Sequence, residues 1–160
     1  MPTEYVTDKE ISDAVTDMLA DDVYNEFDAI RNSEIKIDAC LCVRTNNEGE
    51  EQPCKGEPAT LKKVGKLEKV FLDTDYILVV DNTAWKEANS TVAQLAMLHR
   101  ALLEIDITEN EGKFKLGKRK HDVREFSATI GRFGAYKGSL LCLREAFTLS
   151  AKQLAENLQP

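Results

Sequence analysis

Apolar residues recur at spacings of four and three through Ile11, Val15, Leu19, Val23, Phe27 and Ile30, which is a helical period. Thr7-Asp8-Lys9-Glu10 sets a hydroxyl and, three residues on, a carboxylate ahead of that run. A capping box is therefore expected to open one amphipathic helix, or two joined near Asp21. From Glu34 to Val43 the period shortens to two, with Ile35, Ile37, Ala39, Leu41 and Val43 on one side, and this predicts a half-buried strand. Thr45 to Pro58 holds Gly, Pro, Asn and Glu with few apolar residues and reads as a loop or turn between strands. Leu61 to Phe71 fits strand or helix, Gly65 weighing against a helix. Asp75 to Asp81 is a continuous apolar run bounded by acids, the pattern of a central strand covered on both faces. Asn82 to Asn89 turns the chain around Trp85, a packing anchor. Thr91 and Gln94 form a second capping box, and the apolar band that follows (Val92, Leu95, Ala96, Leu98, Ala101, Leu102, Ile105) is too wide for a surface helix.

Beyond it, Ile105 to Thr108 leads to a turn at Glu109 to Gly112 and a return strand at Phe114 to Leu116. His121 and Asp122 open a third helical pattern, with Val123, Phe126, Ile130 and Phe133 on one side and Gly134 in the place of a C-cap. A last helix is expected from Leu140 to Leu154. The fold class that follows is α+β: a small sheet packed on a buried helix at 91–104, flanked by N- and C-terminal helices. With 160 residues and 42% hydrophobic composition, the chain suits one globular unit, divided into an acidic N-terminal segment (1–34) and an α+β body (35–160).

Charge changes this picture locally. The net charge of −7 is concentrated in residues 1–34, where ten acids face Lys9 and Arg31. Such a segment repels a phosphate backbone and suits a partner with a basic surface, so Asp13, Asp17, Asp21, Asp22 and Asp28 are the candidate partner-binding residues. The bases within Lys113 to Lys120 come with neither a phosphate loop nor a stacking pattern, and direct nucleic-acid binding is not expected. No apolar run approaches the roughly 18 residues of a membrane span, and the polar start of the chain lacks a secretory pattern. Cys40, Cys42, Cys54 and Cys142 form no CxxC pair; idle or buried thiols in a reducing cytoplasm are expected, and neither a zinc site nor a disulfide framework.

Two stretches carry a family resemblance. The buried strand, Trp turn, capped apolar helix and acidic hairpin, then His121-Asp122-Val123-Arg124-Glu125-Phe126 and Arg132-Phe133-Gly134, resemble the phage metallopeptidase family. This is a zincin-like family of phage and prophage genomes, and the likeness runs from about Lys62 to Gly134. Its members carry HExxH on the buried helix, two His one turn apart holding zinc and a Glu acting on the bound water. In the register set by the helix cap, those positions fall on Arg100, Ala101, Leu102, Leu103 and Glu104, so both His and the base are replaced. A shift by one sets His99 first, with Arg100 in place of the Glu and Leu103 in place of the second His.

The resemblance therefore implies a scaffold without its catalytic residues: Arg100, Ala101 and Glu104 are the degenerate positions, and His121, Asp122 and Glu125 the remnant of the family's motif. Arg100 and Glu104 stand four apart and could pair in place of the metal. No cofactor is expected. The alternative is a zinc metallopeptidase with unusual ligands, Glu104, His121 and Glu125. The expected activity is protein binding, for instance to a host defence nuclease.

Overall fold

A computed structural model describes residues 2–88, 90–110, 113–119, 129 and 132–134. The chain starts with a strand, β1 (Thr3–Thr7), and then α1 (Lys9–Ala20). The N-cap of α1 is Asp8, not Thr7: its carboxylate accepts from the Ile11 amide at 3.0 Å, while Thr7 is already committed to β1. The helix ends at Asp21, as the two-helix reading allowed. A 3-10 turn (Asn25–Phe27) and the short α2 (Asp28–Arg31) follow, and Val23, counted above among the apolar positions, falls in the intervening turn and is exposed.

β2 (Ile37–Thr45) pairs with β1 on one side and runs parallel to β5 (Tyr76–Asp81) on the other; β4 (Ala59–Lys63) closes the far edge. A two-residue β3 (Glu51–Gln52) in the expected loop also pairs with β2. The ambiguous stretch 61–71 is both things in turn: β4 finishes at Lys63, and a 3-10 turn (Glu68–Val70) follows Gly65, whose amide donates to the Glu68 carboxylate at 2.7 Å. α3 (Asn82–Glu87) replaces the expected turn, because the Asp81 carboxylate caps it through the Thr83 amide. α4 (Thr91–Leu102) is capped by Ser90, one residue before the predicted hydroxyl. β6 (Ile105–Asn110) and β7 (Lys113–Lys118) form the predicted hairpin.

The registers set Ala39, Leu78 and Leu61 side by side, with Leu41, Val80 and Ala59 as the next row. These residues meet Ile11, Val15 and Met18 of α1 and Leu98, Ala101 and Leu102 of α4 in one core. Tyr76, Leu78 and Val80 are fully buried, each contributing about 2 kcal/mol by leaving water, whereas Ile77 and Val79 on the opposite face are only half-buried, so the strand is fully covered on one face and not on both as its continuous apolar run predicts. The acidic N-terminal segment is thus an integral layer of the fold. The hairpin is held beside β4 by polar contacts: the Tyr76 hydroxyl donates to Gly117 O at 2.8 Å and Lys118 Nζ to Leu61 O at 2.8 Å. Burial pushes the Tyr76 phenol up to about 12, so it remains a donor. The structure is the expected α+β class. The helix pattern at 121–134 lies largely outside the described residues, although Arg132 and Phe133 are helical and Gly134 has φ 68°, as a C-capping glycine requires. The helix expected at 140–154 lies outside them altogether. No helix among the described residues is long and apolar enough to cross a membrane.

Candidate functional site

Every residue of α4 from Ala96 to Leu102 is buried, so the degenerate motif positions sit deep in the fold. Arg100 is 2% exposed and Ala101 fully enclosed. The expected ion pair between Arg100 and Glu104 is not among the described contacts, and the reason is where the helix stops. α4 ends at Leu102, so Glu104 does not stand one turn above Arg100; it leads into β6, beside Lys118 of the neighbouring strand. Lys118 Nζ lies 2.7 Å from Glu104 Oε2, whereas the guanidinium of Arg100 lies 3.5 Å from Glu57 Oε2 on the loop before β4. That loop is anchored by the Cys54 amide, which donates to Asp81 Oδ2 at 3.0 Å, and by a disulfide from Cys54 to Cys42 of β2.

These residues do not suit zinc. A guanidinium is cationic at any working pH and repels a dication, Ala101 supplies no base for a bound water, and the Glu104 carboxylate is already neutralised by an ammonium. Among the described residues no three His, Cys, Asp or Glu side chains gather as a metal site. His121, Asp122 and Glu125, the remainder of the candidate set, lie outside the described residues.

A second cluster, which sequence reasoning missed, surrounds His99. The imidazole is fully buried; Nε2 lies 2.5 Å from Glu26 Oε1 and Nδ1 2.9 Å from the Thr129 hydroxyl. Arg132 grips the same carboxylate with both ends of its fork, Nε to Oε1 at 2.9 Å and Nη2 to Oε2 at 2.7 Å, and lies over the Tyr24 ring. Phe27 and Phe133 pack against the imidazole. Burial pulls the His99 pKa down despite the neighbouring carboxylate, so the ring is neutral, with Nε2–H donating to Glu26 and Nδ1 accepting from Thr129. Burial alone would raise Glu26, but the hydrogen bonds from Arg132 and His99 overcome it and hold the carboxyl at about 2. Carboxylate, imidazole and hydroxyl stand in the order of a catalytic triad, yet both His99 and Thr129 are fully enclosed, so no substrate carbonyl can reach the hydroxyl. The cluster is a staple between the N-terminal turn, α4 and the segment around 129–133.

The five candidate partner-binding acids are distributed unequally. Asp13 and Asp17 lie exposed on α1. Asp21 caps the helix end and accepts from the Val23 amide at 2.9 Å; Arg31 pairs with Asp28 and stands 3.6 Å from Asp22, whose side chain is otherwise open to solvent. Cys42 and Cys54, expected as idle thiols, are joined in a disulfide with their Cα atoms 6.7 Å apart, which a spacing of twelve residues does not announce. Cys40 is a free thiol, half-buried and raised in pKa by that burial.

No curated protein and no solved structure matches this chain. The family described as putative phage metallopeptidase matches residues 3–157, so the likeness read from Lys62 to Gly134 extends over nearly the whole length, acidic segment included. The chain belongs to the putative phage metallopeptidase family.

Proposed function

We propose that this member of the family no longer hydrolyses peptides and instead acts by binding another protein of a bacterial host, without a metal cofactor. The observation that carries this reading is Arg100, a buried cation at the first ligand position of the motif, with Ala101 in place of the base. The exposed carboxylates of α1 supply the docking face, and the partner they fit has a basic surface, such as the nucleic-acid channel of a host defence nuclease.

Two measurements test it. Protein purified from a zinc-replete culture is expected to hold well under one equivalent of zinc; stoichiometric zinc that survives dialysis overturns the loss of the metal site. Replacing Asp13, Asp17 and Asp22 by Asn is expected to weaken capture of a nuclease partner and to reduce the salt dependence of binding, with the circular dichroism spectrum unchanged because Ile11, Val15 and Met18 hold the helix in place. Affinity that ignores both the substitutions and the salt would move the binding surface away from α1.

A further inference from the structure

The molecule carries a second interaction surface, opposite in charge to the first. Between the segment after β4 and strand β7 lies a groove of about 550 Å³ lined by Lys63, Val64, Lys66, Lys69, Phe114 and Lys115. Four ammonium groups border it. Lys69 is paired with Asp75 and Lys63 donates to Leu116 O, leaving Lys66 and Lys115 exposed and with no ion pair among the described residues. Apolar side chains are exposed in the same two segments: Leu67, Val70 and Phe71, next in sequence to Lys66 and Lys69, are 77%, 73% and 81% exposed, and Phe114, which lines the groove, is 53% exposed. Large apolar side chains exposed in this number along one short segment mark a surface that another molecule covers.

We infer that the groove receives the acidic N-terminal face of a second copy of this chain. The two surfaces are complementary in charge. Glu10, Asp13 and Asp17 are exposed on α1, so the acidic face has carboxylates for Lys66 and Lys115. A nucleic acid fits less well, because the net charge of −7 opposes its approach. A flat anionic membrane would leave the concavity empty. Because the same carboxylates serve the proposed protein partner, self-association and partner binding exclude one another.

Sedimentation velocity on the full chain without any partner tests this independently of the proposed function. At about 0.05 M ionic strength the protein is expected to associate as its concentration rises, and at about 0.5 M the association should weaken at least tenfold. Lys66→Glu/Lys115→Glu and Asp13→Lys/Asp17→Lys variants alter exposed positions, and each alone should sediment as a monomer with an unchanged circular dichroism spectrum. Mixed together they should associate again, because each restores the charge the other has lost. A wild-type protein that stays monomeric throughout, or a mixture that fails to associate, overturns the inference. So does a labelled single-stranded oligonucleotide that binds the wild-type groove and is lost in the Lys66→Glu/Lys115→Glu variant while the protein remains monomeric.

Discussion

Glu26→Ala is expected to destabilise the fold by about 3 kcal/mol, seen as a lower urea midpoint with an unchanged slope. The substitution removes the acceptor of two charge-assisted hydrogen bonds from Arg132 and the partner of His99 Nε2–H, a donor that water cannot reach. An enclosed donor left without an acceptor costs about 1–3 kcal/mol by itself, and the doubly held guanidinium supplies the rest. Glu26→Gln keeps an acceptor for the imidazole but not the charge, so it should fall about midway. A midpoint near wild type for Glu26→Ala would mean that the cluster is not a staple.

The same cluster makes the protein acid-labile. His99 is held below its ordinary 6.5, so between that value and its folded one the unfolded chain binds a proton that the native ring refuses, and stability declines as pH falls below about 6.5. Glu26 acts in the same direction at lower pH: its stabilisation is complete above 4.5 and is lost as pH falls toward about 2. The drop from 4.5 to about 2 corresponds to roughly 3 kcal/mol, which screening at the carboxylate's solvent-facing rim reduces to about 2 kcal/mol. Urea midpoints between pH 7 and pH 3 should decline steadily in wild type and less steeply in Glu26→Gln, which isolates this contribution from that of Asp75, also held low, in its case by Lys69 against the opposing effect of its burial. Equal slopes in the two proteins would contradict it.

What the sequence shows of this fold follows from where its physics is local. Asp75 to Asp81 and the broad apolar band of α4 are legible because their residues are nearly all apolar, although Ile77 and Val79 of the strand are only half-buried, and the hairpin is legible because a turn separates two short runs. β1 is not: Thr3–Thr7 is an exposed edge strand with no face buried, so it has no alternation to read. The caps are displaced by one residue, at Asp8 and Ser90, because two adjacent side chains could each serve and only the backbone path selects between them. Arg100 stands out in the sequence as a charged residue inside an apolar band, but its contact with Glu57 depends on a loop path that no period encodes. His99 offered a weak signal, a polar residue inside an apolar band. Its partners are 73 and 30 residues away, and nothing local points to them.

Those separations matter during synthesis. Arg132 closes on Glu26 across 106 residues, so a chain lengthening at roughly 5–20 residues per second keeps that carboxylate waiting roughly 5–20 s for its guanidinium. Through that interval the Tyr24 and Phe27 rings and the helix carrying His99 can meet, but the charge buried beside them has no counter-ion. The last link of the N-terminal layer is therefore made only after Arg132 has left the ribosome. A product released before Thr129 would carry a half-partnered imidazole and an unfastened acidic turn, in a form that a protease or chaperone can distinguish from the folded protein.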